Sequence, residues 1–369
     1  MKDSGLTYKR STNIELLRII SMFLIVIHHF AIHGNFNFPT TTITFNEVWI
    51  QFIQLGGKIG VNLFVLISGY FLVKGSSIKV NKLVKLWFEI FLYSVVIYAI
   101  FVLTHAQTFV FKEFIKNIMP ITFSNWWFVS TYFILYLLSP FLNKFLNNID
   151  KTFYQRLLLL LTFLWCVIPT FTSKKIECNN LTWFIYLYMI AGYIRIYLSE
   201  RRLSGKTFII AGLVLCILTF LTAIFLDFLG TKVAFFSKHS TYFYSNEKIF
   251  ILFASVLMFI GFLNLNIKYS KLINTLSSAT FGVYLIHDHE FVRNFLWNVL
   301  FKQSTFSTSK YLIIYSIFAV VSVYVVCTII DLIRKHTVEK VFTPIINKVS
   351  DMISKATAFC CSDKFLSKW

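Results

Sequence analysis

Charged side chains are scarce in this sequence. Only 14% of its 369 residues are Asp, Glu, Lys or Arg, whereas soluble domains carry about 25%. Prolines, which break helices, number only five. Hydrophobic residues reach 57%, above the roughly 45–50% of a soluble domain. The composition therefore excludes an ordinary soluble domain and predicts an integral membrane protein.

Acidic residues are the scarcer of the two charge types. The 16 Asp and Glu stand against 35 Lys and Arg, which leaves a net charge of +19. A nucleic-acid-binding protein would carry a recognisable binding motif, and none is visible. Cationic loops that orient a membrane protein and lie against anionic lipid account for the excess. We expect membrane lipids, and no nucleic acid, as partners.

Cysteine patterns that would indicate a metal site or a disulfide framework are also missing. None of the six cysteines falls in a CxxC or Cys/His spacing. Three of them, Cys166, Cys216 and Cys327, lie within apolar segments, and Cys178 stands alone in a loop. The first apolar run is too long for a cleavable signal and is followed by no small-residue cleavage site.

Long apolar segments dominate what is present. A helix needs about 20 apolar residues to cross a bilayer, and ten segments are long enough. They lie near residues 13–32, 53–73, 84–104, 126–143, 155–172, 181–198, 207–229, 248–265, 279–300 and 310–333. The predicted fold is an all-α integral membrane protein, a bundle of about ten transmembrane helices.

Lysine and arginine alternate between the loops. With the N-terminus placed in the cytoplasm, the inner segments carry about twice as many of them as the outer segments, as the positive-inside rule requires. Both termini are therefore predicted to be cytoplasmic. The membrane domain takes residues 1–333. Residues 334–369 form a tail in which apolar residues and lysines recur at helical spacing, which predicts a cytoplasmic amphipathic tail at the membrane surface.

The first segment, Asn13–Phe30, carries four ionisable residues, although such groups are costly inside a membrane and mark functional sites. Arg18 and His29 are eleven residues apart, so they share one helix face and lie about 16 Å apart along the axis. Glu15 is one turn before Arg18 and can pair with it. His28 points about 100° away from that face.

His29 is a candidate general base, since imidazole titrates near neutral pH. The alternative is a histidine satisfied in the core. Arg18 stays protonated, so it can pair with Glu15, hold a thioester oxygen, anchor a donor phosphate or snorkel to the interface. His33 has metal-ligand spacing to His29, but we expect it in the exit loop and predict no metal site.

The spacing of Arg18 and His29 resembles membrane-bound acyltransferase family 3, whose first transmembrane helix carries an Arg, ten residues and a His. Gly60–Leu72 is similar to the second-helix signature of that family, with Ser68 in place and Asn62 where an Asp is usual. The resemblance makes Asn62 and Ser68 supporting site residues. Close helix packing by small residues explains the same stretch equally well.

Two further segments match the family more loosely. Lys82 and Lys85 stand where many relatives have two arginines, and could grip the phosphates of coenzyme A. Ordinary positive-inside charge is the alternative. Phe281–Phe291 matches a late Gly-x-Tyr-Leu-x-His element, which makes His287 a supporting site residue. Trp126 is expected in the aromatic belt at the outer interface.

The resemblance implies transfer of an acyl group, acetyl in the first instance, from cytoplasmic acyl-CoA. The implied acceptor is a hydroxyl of a cell-surface polysaccharide or of its lipid-linked precursor, and the implied location is the bacterial cell membrane. Acetyl-CoA would be a substrate, and no permanently bound cofactor is expected. The alternative is a transporter or flippase for a lipid-linked sugar or acyl group, because buried charges also mark translocation paths.

Overall fold

Helices form every regular element of the part of the chain that the structure describes. The structure is a computed structural model, and it describes residues 11–39, 42–174, 176–198 and 204–360. Residues 1–10 of the predicted membrane domain and 361–369 of the predicted tail lie outside this part. No strand occurs among the described residues, which confirms the all-α prediction.

The helices follow one another with short connections. The first eight are α1 Thr12–His33, α2 Phe45–Leu72, α3 Val80–Leu103, α4 Phe111–Ile118, α5 Trp127–Leu146, α6 Lys151–Thr162, α7 Ile168–Thr172 and α8 Asn180–Tyr193. The others are α9 Gly205–Gly230, α10 Ala234–Ser237, α11 Ile249–Leu263, α12 Lys271–Ser278, α13 Thr280–His287, α14 Glu290–Asn294, α15 Leu312–His336 and α16 Val338–Cys360. Short π-helical turns occupy Phe163–Val167, Ile194–Leu198 and Phe295–Leu300, and 3-10 turns occupy Tyr242–Tyr244 and Gln303–Phe306.

Nine of the described helical segments are long and apolar enough to cross a membrane. They correspond to nine of the ten predicted spans, so the chain is an integral membrane protein with the expected bundle. Exposed apolar side chains cover the outer faces of α9 and α15, for example Ile210, Phe225, Ile314 and Phe318. Such faces suit a hydrocarbon environment, in which apolar exposure carries no cost.

The tenth predicted span, residues 279–300, is not one continuous helix. It is divided into α13, α14 and a π-helical turn, with a break at Asp288 and His289. The side chain of His289 caps α14 by accepting from the backbone N–H of Phe291. Four consecutive ionisable residues, 287–290, lie at this break, and a continuous helix would aim some of them at lipid. The break leaves His287, Asp288 and His289 buried in the protein, whereas Glu290 is exposed.

Polar contacts gather the helix ends that the charge pattern assigns to the cytoplasm. The Asn13 amide donates to the carbonyl oxygen of Phe262 at 2.7 Å, which joins the start of α1 to the end of α11. The Asn143 amide donates to the carbonyl oxygen of Leu72 at 2.8 Å, which joins α5 to the end of α2. These ends lie together at one end of the bundle, called here the inner end. His29 lies toward the opposite, outer end.

Helices α1 and α2 pack closely against each other. A Cβ atom added to Gly57 would lie 2.1 Å from Cγ of His28, and one added to Gly60 would lie 2.5 Å from the carbonyl oxygen of Ser21. Only glycine fits this close approach, as in other membrane helix pairs. The contact fixes the depth and rotation of α1, and so the position of His29.

Candidate functional site

His29 lies on a stripe of α1 that faces the interior. The stripe contains Arg18, Met22, Ile25 and His29, three or four residues apart, so their side chains share one helix face. Met22 and Ile25 are each 3% exposed. The predicted common face of Arg18 and His29 is therefore formed by a regular helix, which places the two residues about 16 Å apart along its axis.

A chain of two hydrogen bonds orients His29. Nδ1 of His287 lies 2.6 Å from the carbonyl oxygen of Val283, an atom that only accepts, so this nitrogen carries the proton in neutral His287. Nε2 of His287 then accepts from Nδ1 of His29, 2.9 Å away. Nε2 of neutral His29 is left unprotonated, as a general base requires.

Asp288 adds a carboxylate beside the same nitrogen of His29. Its Oδ1 lies 3.5 Å from Nδ1 of His29 and 3.3 Å from Nη1 of Arg293. A carboxylate next to Nδ1 favours the tautomer just described and stabilises the imidazolium that forms when Nε2 takes a proton. Arg293 thereby pairs with the run of ionisable residues at the break.

His33 is the last residue of α1 and does not lie in the exit loop, because the helix continues one turn beyond His29. Ligand atoms of His29, His33 and Asp288 lie within 4.8 Å of one another. Three such ligands can hold a divalent cation. His29 and Asp288 already contact His287 and Arg293, however, so this donor set fits a metal poorly. The absence of a metal stays a prediction.

A small cavity lies against His29. Its volume is about 30 Å³, and Met22, Ile25, Phe64 and Tyr284 are among the residues that line it. A single water needs about 10–15 Å³ measured in the same way, so the space suits a group of a few atoms. The cavity follows the α1 stripe toward Arg18.

Arg18 and Glu15 form the predicted ion pair. Nε of Arg18 lies 3.5 Å from Oε2 of Glu15 and has no hydrogen-bond partner among the described residues. Oε2 of Glu15 also accepts a hydrogen bond from the hydroxyl of Ser277. Glu15 thereby ties α1 to α12, and the Arg18 side chain, 30% exposed, keeps donor capacity for an anion.

Lys82 and Lys85 lie in the first turns of α3 at the inner end. Both are exposed, and Lys85 forms an ion pair with Oε1 of Glu339 in α16. Oε2 of the same carboxylate accepts from Nη1 of Arg334 at 3.0 Å. The structure thus gives one of the two predicted donor-binding lysines a partner within the chain.

Asn62 and Ser68 lie on α2 but make contacts away from His29. The Asn62 amide donates to the carbonyl oxygen of Asn246 at 3.1 Å and its Oδ1 accepts from the indole of Trp183 at 3.0 Å. The hydroxyl of Ser68 donates to the carbonyl oxygen of Phe64 in its own helix. The structure does not bring either residue to His29, and their supporting role stays a prediction.

The structure confirms the predicted orientation of His28 but not the predicted position of Trp126. Nδ1 of His28 lies 2.6 Å from the carbonyl oxygen of Gln54, on a different face from His29, as expected. Trp126 is only 2% exposed, and its ring packs edge-on against His289 at 5.3 Å. The aromatic-belt interpretation of Trp126 was wrong, because the break after α13 brings His289 next to it.

A buried charge cluster near the inner end was not predicted from the sequence. Arg334 pairs with Asp331 at 2.8 Å, with Glu89 at 2.9 Å and with Glu339 at 3.0 Å. The spacing of Asp331 and Arg334 in the last span was the available signal. A Cβ atom on Gly282 would lie 2.2 Å from Oδ1 of Asp331, which explains the glycine of the late element.

Comparison with known proteins adds one finding. No curated protein and no solved structure matches the chain significantly. The family model for the acyltransferase domain of family 3 matches residues 11–331. The matched region contains His29, His287, Asp288 and the α1 stripe, and it ends before α16. The match covers most of the 369 residues, so the chain belongs to acyltransferase family 3.

Proposed function

We propose that this acyltransferase moves an acetyl group from cytoplasmic acetyl-CoA to a hydroxyl of a cell-surface polysaccharide or its lipid-linked precursor, in a bacterial cell membrane. The observation that carries the proposal is the hydrogen-bond chain from Val283 through His287 to His29. It leaves one imidazole nitrogen of the half-buried His29 free to accept a proton. The position of His29 toward the outer end suits an acceptor that is assembled outside the cytoplasm.

In the proposed reaction the acceptor hydroxyl attacks the carbonyl carbon of the thioester, and Nε2 of His29 takes the hydroxyl proton. The new C–O bond forms, the C–S bond breaks, and the sulfur leaves with its electron pair. The sulfur then receives the proton from the imidazolium. The products are the acetyl ester and free coenzyme A, with no oxidant or further reactant. Asp288 stabilises the charged imidazolium between the two proton transfers.

Arg18 suits the anchoring of a donor phosphate better than direct contact with the reacting carbonyl. It lies about 16 Å from His29 along the helix axis. The pantetheine arm of coenzyme A has about as many bonds between phosphate and sulfur as four extended residues, so it spans about 14 Å. The separation of Arg18 and His29 along α1 is therefore close to the length of this arm.

Replacement of His29 by Gln tests the proposal. Glutamine keeps polarity and similar size but cannot take up a proton at neutral pH, and general-base catalysis is typically worth about 10²- to 10⁴-fold. We expect acetyl transfer to fall by that order in membranes of equal protein level. His28→Gln is the matched control, because His28 bonds to Gln54 and not to the site. It should change the rate much less.

Two results would contradict the proposal. If His29→Gln abolished export of the surface polymer, and the polymer retained in the cell had a normal acetyl content per sugar, the transporter alternative would be favoured. If His28→Gln caused the larger loss of transfer, the assigned face of α1 would be wrong. O-acetyl content per sugar, measured beside total polymer, separates these cases.

A further inference from the structure

A polar cavity opens at the outer end of the bundle, beside the residues that connect α1 to α2. Its volume is about 300 Å³, and Phe36, Phe38, Glu47, Gln51 and Gln54 are among the residues that line it. A second cavity of about 190 Å³ shares Phe38 and Glu47 with it. We call the larger one the outer cavity. Its volume lies at the lower end of the range for small-ligand sites, and the His29 mechanism does not use it.

Gln51 lines this cavity and has one hydrogen-bonding atom without a partner among the described residues. Its side chain is 6% exposed. The amide nitrogen donates to Oδ2 of Asp227 at 2.7 Å and to the hydroxyl of Ser240 at 3.3 Å. Its Oε1 is buried and has no hydrogen-bond partner among the described residues. Buried acceptors are rarely left unpaired, so this oxygen is suited to a hydroxyl or N–H donor from a ligand.

Two aromatic rings supply an apolar surface beside that acceptor. Phe36 and Phe38 are both half-buried, and their rings stack with centroids 6.0 Å apart and an interplanar angle of 9°. A sugar ring has an apolar C–H face and an edge of hydroxyl groups. Aromatic faces beside amide and carboxylate groups match both parts, in the usual combination of apolar walls with a few placed polar groups.

The charges around the cavities distinguish neutral sugars from anionic ones. Glu47 lines both cavities, and Asp227 lines the smaller one. Lys238 is the cation on the described lining of the smaller cavity. Two carboxylates against one ammonium disfavour a phosphate or a uronic acid, because like charges repel at short range. They favour hydroxyl groups, which donate hydrogen bonds to carboxylates.

We propose that the outer cavity binds a neutral sugar unit of the acceptor glycan. Ile32 of α1, one turn after His29, and Gln54 of α2 line it. A sugar held there lies next to the helix segment that carries the candidate base, so the cavity would hold one unit while an adjacent unit is acetylated. The assignment as acceptor site rests on the proposed function; sugar binding itself does not.

Direct binding to the full-length protein in lipid nanodiscs tests the proposal. The probes are neutral oligosaccharides of glucose, of galactose and of N-acetylglucosamine, beside oligogalacturonate and glucose 1-phosphate, measured by saturation-transfer NMR and calorimetry. We expect at least one neutral probe to bind, and its affinity to fall at least tenfold in Phe38→Ala and in Gln51→Met. Phe109→Ala and Gln107→Met are matched controls, since both residues are exposed and lie in the connection after α3. They should bind like the parent protein.

The results distinguish sugar binding in the outer cavity from acetyl transfer at His29. Binding that survives His29→Gln but is lost in Phe38→Ala supports the cavity, even in a preparation with no acetyl transfer. If transfer is present, Phe38→Ala should raise KM for the acceptor at least tenfold. The proposal is overturned if no neutral probe binds, if the two cavity variants bind normally, or if the anionic probes bind more tightly than the neutral ones.

Discussion

Nδ1 of His29 lies 2.9 Å from Nε2 of His287, although 258 positions separate the two residues in the chain. The contact joins α1 to the last turn of α13, directly before the helix breaks. The break also brings Asp288 within 3.5 Å of the same nitrogen. The loss of helical continuity in the tenth span is therefore what assembles the candidate site.

His287 is predicted to act by holding the tautomer of His29. His287→Leu removes the acceptor for Nδ1 of His29, and the net loss of one neutral hydrogen bond corresponds to about a tenfold lower rate of transfer. His287→Gln should retain more activity, because its side-chain oxygen reaches a position similar to Nε2 and can accept. Transfer rates as a function of pH, measured at equal protein level, check this order. Equal losses in both variants would reduce His287 to a packing role.

The size of the cavity beside His29 predicts a preference for short acyl groups. One methylene in a tight pocket is worth about 10- to 200-fold in discrimination, so acetyl-CoA should be used over propionyl-CoA by that order. Phe64→Ala enlarges the cavity and should bring the two kcat/KM values close together. Phe71→Ala, on the same helix but 51% exposed, is the control. An unchanged preference in Phe64→Ala would show that the acyl group binds elsewhere.

The fold and the α1 part of the candidate site could be predicted from the sequence. Hydropathy and charge alternation give the spans, because a bilayer demands long apolar helices with basic inner loops. The spacing of Arg18 and His29 gives a common face, because helix periodicity is local. The partner of His29 is not local. Four ionisable residues at 287–290 indicated that some of them face the protein, but not that the helix would break there or that Trp126 would become buried against His289.

Contacts at the inner end, and those of Asn62, could not be predicted from the sequence either. Lys85 was visible as a cation at the start of α3, whereas its partner Glu339 lies in α16, beyond the region that matches the family. Asn62 matched a family position, but its bonds to Trp183 and Asn246 depend on how α8 and the chain before α11 pack against α2. Such contacts are set by tertiary packing, which a single sequence does not encode in any local pattern.

The predicted orientation can be tested at two exposed loop residues. Ser173 follows α7 and Ser204 precedes α9, and both side chains are exposed. With cytoplasmic termini, a cysteine at 173 in a cysteine-free background should react with an impermeant maleimide in intact cells. A cysteine at 204 should react only after permeabilisation. The reverse pattern would place the acetyl-CoA side and the acceptor side the wrong way round.

Glu339 forms an ion pair with Lys85, one of the two lysines predicted to bind the donor. Burial alone would raise the pKa of Glu339, but the Lys85 ammonium and the Arg334 guanidinium outweigh it and hold the pKa below its usual range. A lowered pKa means that the pair stabilises the docked α16 above the ordinary carboxyl pKa. This stabilisation is lost only as the pH falls through the lowered value. If Lys85 binds the donor as predicted, the carboxylate competes with the donor phosphate for Lys85 at neutral pH.

This competition predicts opposite effects of two neighbouring substitutions. Glu339→Gln removes the competing charge, so the affinity for acetyl-CoA should tighten by up to about fivefold, the upper limit for an exposed ion pair. Lys82→Gln combined with Lys85→Gln should weaken it by at least that factor, because two cations that can contact phosphate are lost. Lys144→Gln, an exposed lysine at the same end of the bundle, is the control and should leave it unchanged. Calorimetry with acetyl-CoA on protein in nanodiscs measures all three.

If the lysine double variant binds normally, Lys82 and Lys85 serve only to orient the chain in the membrane. If Glu339→Gln weakens binding, α16 supports the donor site and does not compete with it.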